Sequence, residues 1–226
     1  MKSLFTEGWK FWEAEYGTEY EEAMEHLSDF ESVEIPHDYL IHDTANLYKD
    51  STGWYIKDFE LWDEDAGKRF VLIFDGIYMD SIVYVNGKAA GEWKYGYSQF
   101  ILDITDFVNI GKNTLAVAAR CKFPNTRWYS GAGIYRNVWL CKYGRTYIPE
   151  NGVYVHSEKC DGGYLMYVSS EVVSDDKNSA GAEVTYRLFD AAGDEVKLVE
   201  KEITDSEKAA HAQKCFFVSE IGRAHV

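Results

Sequence analysis

From Gly53 to Ala119 the chain breaks into short apolar or alternating segments, each closed by Gly, Asp or Asn. No amphipathic helix of about ten residues separates any two of them. Parallel strands need long crossovers, usually helical, so this stretch is restricted to antiparallel β layers. The clearest punctuation is Asn86-Gly87, directly after the β-branched run Ser81–Val85. A type I′ hairpin turn needs positive φ at both central residues, and Asn-Gly is the pair that supplies it. Phe70–Phe74 is a second apolar run, stopped by Asp75-Gly76. Gln99–Ile104 alternates and puts Phe100, Leu102 and Ile104 on one side, and Thr114–Ala119 reads as a further strand. In GWYIKDFELW, Tyr55, Lys57, Phe59 and Leu61 oppose Trp54, Ile56 and Asp58. Both faces are mixed, which predicts a strand near a sheet edge or rim.

The one helix expected lies in TEYEEAMEHL, residues 18–27, where Thr18 and Glu21 have capping-box spacing. Arg145–Glu150 reads as a boundary, followed by Asn151-Gly152. Beyond it, Tyr164–Ser170, Glu183–Phe189, Val196–Ile203 and Lys214–Val218 are β-like, with a turn at Ala191–Asp194. The expectation is an all-β chain. A jelly-roll sandwich occupies 1–145, and an immunoglobulin-like sandwich occupies 146–226. An immunoglobulin-like sandwich has about seven strands, and about five are legible here. The second domain is therefore expected to be incomplete; a small five-strand domain is the alternative.

Several chemistries are excluded or left without support. A net charge of −15 argues against a nucleic-acid or anionic-membrane surface. No run of about eighteen apolar residues exists to span a membrane. MKSLFTEGWKFW has no apolar signal core, so a cytoplasmic location is expected. Four dispersed cysteines, without CxxC, read as free thiols, although Cys121 and Cys141 bracket one loop. Six histidines show no HxH or HxxxH spacing, so no structural transition metal is expected, a surface sodium or calcium held by carboxylates and carbonyls being the alternative, and no motif calls for another cofactor. His37-Asp38 lacks a nucleophile elbow and reads as a structural loop. Gly131 and Gly133 precede a strand, not a helix, and so form no phosphate cradle.

What remains is PNTRWYSGAGIYRNVWL, residues 124–140, a loop running into a strand expected at Tyr135–Leu140. It carries Arg127 beside Trp128 and Tyr129. Trp93, Tyr95 and Tyr97 recur two apart in a Gly-flanked segment. Such rings either fill a sandwich core or offer faces on which sugar C–H groups stack. Arg136 and Asn137 read as strand anchors.

IPHDY (35–39), STGWYIKDF (51–59), FDGIYMDSIVYVNGKAAG (74–91), GYSQFILDITD (96–106) and NTRWYSGAGIYRNVWL (125–140) together resemble the N-terminal domain of glycoside hydrolase family 2. The RWYSGAGIYR form is most similar to the β-galactosidase-like branch. The resemblance implies a sugar-binding jelly roll, an immunoglobulin-like sandwich and then a (β/α)8 barrel bearing the glutamate acid/base and nucleophile. Retaining hydrolysis needs those carboxyls about 5 Å apart, and a barrel needs about 250 residues. By this resemblance the chain is the non-catalytic N-terminal portion, with no catalytic residue of its own. The parent would act on a β-glycoside or oligosaccharide as a homo-oligomer. A stand-alone carbohydrate-binding module and a subunit-interface scaffold are the alternatives. The resemblance also points to substrate-facing positions. Asp50 stands where family β-galactosidases have an Asn ahead of the TG-x-Y block. Arg127 stands where they have an Asp ahead of SGI-[FY]-R, a reversal of charge. Trp128 and Tyr129 complete the candidate set.

Overall fold

The computed structural model describes residues 1–126, 131–174, 183–201 and 211–219. The chain divides into two compact units, Met1–Tyr143 and Gly144–Val226.

In the first unit the strands are β1 (Lys2–Leu4), β2 (Trp9–Ala14), β3 (Glu31–Val33), β4 (Ser51–Leu61), β5 (Arg69–Phe74), β6 (Ser81–Val85), β7 (Lys88–Trp93), β8 (Phe100–Asp103), β9 (Gly111–Cys121) and β10 (Val138–Tyr143). They form two antiparallel sheets, ordered β3-β2-β4-β9-β6-β7 and β1-β10-β5-β8. The sheets bury a common core between them. Trp9, Tyr55, Val83 and Leu115 come from one sheet, and Leu72 and Phe74 from the other. This is the expected jelly-roll sandwich. Each such side chain contributes about 1.5–3 kcal/mol by leaving water. The β6–β7 hairpin turns as the sequence requires: Val85 pairs with Lys88, and φ is 51° at Asn86 and 79° at Gly87.

Two sequence expectations fail here. β4 is not near an edge; it lies third in the six-stranded sheet, between β2 and β9. Tyr55 faces the inter-sheet core. Trp54 and Ile56 face a second, outer core with Ala116 and Ala118, roofed by Ala23 and Met24 of the short helix α1 (Tyr20–Glu25). The residues that cover the outer face come from elsewhere in the chain, so β4's own pattern cannot show that both faces are buried over Ser51–Ile56, while Asp58 and Glu60 stay exposed. The predicted capping box is also absent. Thr18 Oγ1 donates to the Glu15 carbonyl at 2.9 Å and closes a turn, and the helix begins later, after Glu19.

Asp65 is buried at 1% exposure in the turn between β4 and β5. Its carboxylate accepts from Lys142 Nζ (2.5 Å), Lys68 Nζ (2.9 Å) and the Trp62 N–H (3.2 Å), tying that turn to β10. Burial opposes ionisation, but these donors outweigh it and hold the carboxyl at about 2.

The second unit is also antiparallel β. Its strands are β11 (Thr146–Tyr147), β12 (Val153–Cys160), β13 (Gly163–Glu171), β14 (Val173–Ser174), β15 (Leu188–Phe189), β16 (Glu195–Val196), β17 (Val199–Lys201) and β18 (His211–Ser219). β12-β13-β18-β17 form one sheet; β11-β14 and β15-β16 form two-stranded pairs. The strand predicted over 183–189 is confined to β15 among the described residues, and β12 was not anticipated. All four cysteines are free thiols.

Candidate functional site

At one end of the first unit, four connections meet around residues 131–135. His37 N donates to Ile134 O at 2.8 Å and Tyr39 N to Ala132 O at 3.1 Å. On the other side Tyr78 and Gly133 exchange backbone hydrogen bonds of 2.9 and 2.7 Å. The chain at Gly133 is thus held between the IPHDY segment and Tyr78. Only glycine fits there. φ is 114°, and a Cβ would lie 2.2 Å from Tyr55 Oη and 2.7 Å from the His37 carbonyl oxygen. Asp38 adds a clamp, since Oδ1 accepts from the N–H groups of Leu40 (3.2 Å) and Ala132 (3.1 Å).

A hydrogen-bonded layer supports these loops from below. Tyr55 Oη is 2.9 Å from His37 Nδ1, and Tyr39 Oη is 3.0 Å from Ser51 Oγ. Burial raises the pKa of both phenols well above the usual tyrosine range. Burial, aided by neighbouring His42, lowers that of His37. Burial also pushes the Cys121 thiol up to about 12, despite the contact from Asn125 Nδ2 at 3.7 Å. The layer is therefore neutral at pH 7, and Cys121 carries no thiolate for nucleophilic work. His37 is a structural member of this layer, as the loop reading of His37-Asp38 expects.

Asp50 is exposed at the start of β4. Its Oδ1 accepts from the Phe123 N–H at 2.7 Å, which pins the chain as it leaves β9 for the 124–134 loop. Its Oδ2 has no hydrogen-bond partner among the described residues. Asp50 borders an open cleft of about 400 Å³ with Glu13, Glu15, Tyr16 and Lys49. Arg127, Trp128 and Tyr129 lie outside the described residues. Their flanks do not: Asn125 Oδ1 accepts from Tyr78 Oη at 3.1 Å, and Ala132 is held by Asp38. Tyr135 lies ahead of β10, not within it; its Oη donates to Gly96 O at 2.8 Å. That bond joins the 94–99 turn to the same end.

None of the aromatic triplet fills the core: Trp93, Tyr95 and Tyr97 are 38%, 62% and 46% exposed. Trp93 rests one face on Phe100, with centroids 5.6 Å apart and planes at 14°. Sequence reasoning missed Asp38, Tyr78 and Tyr135 as the groups that shape the loops. The signal was the presence of IPHDY, FDGIYMD and GAGIYR as separate blocks, which three-dimensional contact joins.

Residues 30–144 match the family model described as glycosyl hydrolases family 2, sugar binding domain. A β-galactosidase of Bacteroides ovatus is 36% identical over 182 residues, 75% of this chain and 21% of its own length. A putative β-glucuronidase of Formosa agariphila is 30% identical over 200 residues, 82% of this chain and 18% of its own. Among solved structures, a glycosyl hydrolase family 2 member from Bacteroides cellulosilyticus superimposes with a TM-score of 0.74 at 25% identity, over 97% of this chain and 32% of that one. The chain therefore spans about a fifth of the length of these curated relatives. The match over most of the sandwich, including every loop that converges on Gly133, places the chain in glycoside hydrolase family 2.

Proposed function

We propose that this chain is the non-catalytic N-terminal part of a retaining β-glycosidase, β-galactosidase-like in type, and that its loop end forms one wall of the saccharide pocket. The observation that carries this reading is the convergence of residues 36–40, 78, 94–99 and 131–135 on one rigid, neutral scaffold within the matched region. A wall of this kind positions substrate, and positioning alone accounts for several kcal/mol of a reaction barrier. Asp50, Arg127, Trp128 and Tyr129 are its proposed contacts with sugar. Arg127 supplies a forked donor for hydroxyls or a carboxylate, and the two rings supply stacking faces. The acid/base and nucleophile carboxylates belong to a (β/α)8 barrel in polypeptide beyond this sequence. The second unit is read as the immunoglobulin-like sandwich that links the two. The parent is read as a cytoplasmic homo-oligomer.

The test is release of nitrophenol from aryl β-galactoside, β-glucuronide and β-mannoside. The 226-residue chain is expected to release none above a mock preparation, while a chain extended through the barrel turns over at least one. Turnover by the short chain itself would overturn the assignment.

A further inference from the structure

We propose that Tyr95, Tyr97, Tyr135 and Arg136 form a saccharide subsite that prefers a sugar ring bearing a carboxylate. It rests on reading this end of the sandwich as a saccharide wall, but lies outside the Asp50 and 127–129 set.

The geometry is specific. Tyr97 meets Tyr78 edge-on at 5.1 Å, and Tyr95 meets Tyr97 edge-on at 5.8 Å. The turn that carries them is held from beneath. Tyr135 Oη fixes the Gly96 carbonyl, and Tyr78 packs so closely that a Cβ on Gly96 would lie 2.3 Å from its ring. Two exposed phenol rings are thus pre-positioned on a rigid support, which lowers the ordering cost of binding. A tyrosine face packs on sugar C–H groups while its hydroxyl bonds their oxygens.

Arg136 adds the charge. It is exposed, and its guanidinium lies 5.2 Å from the Tyr135 ring centroid. No carboxylate pairs with it among the described residues. The nearby Asp75 is otherwise engaged, accepting from Gln99 Nε2 at 2.9 Å and Trp139 Nε1 at 2.8 Å. In a chain of net charge −15, an arginine over an aromatic face with no acidic partner among the described residues is ready for an external anion. A guanidinium binds a carboxylate with two parallel hydrogen bonds, whereas a neutral hydroxymethyl group accepts one weaker bond.

The test is an NMR titration of the 226-residue chain with methyl β-glucuronide and, separately, methyl β-galactoside. The glucuronide is expected to shift the Tyr95, Tyr97 and Arg136 signals and to bind about tenfold more tightly than the galactoside. Arg136→Gln should remove that preference, weakening the glucuronide about tenfold and the galactoside far less. Tyr95→Ala with Tyr97→Ala should weaken both sugars by about threefold or more. All three side chains are exposed, so these variants should fold, which the backbone spectrum verifies. Equal affinity for the two sugars overturns the carboxylate preference. Shifts at neither sugar overturn the subsite altogether, while the wall function still stands or falls on hydrolysis by the longer chain.

Discussion

Gly133→Ala is the perturbation that most directly probes how the loop end is held. The added methyl would sit 2.2 Å from Tyr55 Oη and 2.7 Å from His37 O. Neither can withdraw easily. Tyr55 is fully buried between Trp9 and Phe11, and His37 O belongs to a backbone segment tied to Ile134. Overpacking of this kind costs about 1–3 kcal/mol. Holding an L side chain at φ 114° adds about 1–2 kcal/mol. The sum, about 2–5 kcal/mol, is a large share of the roughly 5–15 kcal/mol that stabilises a domain. Gly17→Ala separates the two parts, since φ there is 89° and no atom lies within 4 Å of the new methyl. It should cost only the backbone part, about 1–2 kcal/mol. Urea unfolding followed by tryptophan fluorescence is the assay. All seven tryptophans precede residue 144, so the signal reports the first unit. With a urea slope of about 2 kcal/mol/M, Gly133→Ala should lower the midpoint by about 1–2.5 M. Equal midpoints for the two variants would refute the steric account and reduce Gly133 to a matter of backbone preference.

Asp65→Asn should cost about 1–3 kcal/mol, discounted because Lys68 reaches solvent. Its pH signature is sharper. With the folded carboxyl at about 2, below its ordinary 3.8, the stabilisation is complete above pH 4 and is lost as pH falls toward 2. Fluorescence-monitored stability should therefore fall more steeply between pH 4 and pH 2 in the wild type than in Asp65→Asn; parallel slopes would contradict the assignment. Asp50→Ala should speed hydrogen exchange at the Phe123 amide by about tenfold, through loss of a bond worth about 1.5 kcal/mol, while Asp50→Asn keeps an acceptor and most of the protection. Unchanged exchange in the alanine variant would free Asp50 from its role as a loop anchor.

Local chemistry made part of this fold legible. Ser81–Val85 followed by Asn86-Gly87 is a strand and turn because β-branching and positive φ are properties of those residues themselves. The tertiary fold then gives Asn86 a second task. Its side chain donates to Phe107 O and Asn113 Oδ1 and accepts from Thr114 N, none of which is a sequence neighbour. β2 shows the opposite case. Lys10 and Glu13 interrupt WKFWEA, so its apolar pattern is weak, and pairing with β3 and β4 makes it a strand.

The candidate site divides in the same way. The block order of IPHDY, STGWYIKDF and GAGIYR is enough to indicate the family, and Asp50 and Arg127 follow from positions within those blocks. The clamp of Asp38 on Ala132 spans 94 residues, and the link from Tyr135 to Gly96 spans 39. The sequence by itself determined which segments become antiparallel strands, where the sharpest turn falls and which family the chain resembles, because these depend on side-chain shape, alternation and motif order. Only the tertiary structure decided that the first half of β4 is buried on both faces, that Asp50 holds a loop, and that Tyr135 ties the turn carrying Tyr95 and Tyr97 to the segment before β10. Those outcomes depend on which distant groups arrive to cover, accept or leave open a given atom, and a residue's own neighbours in the chain carry no record of that.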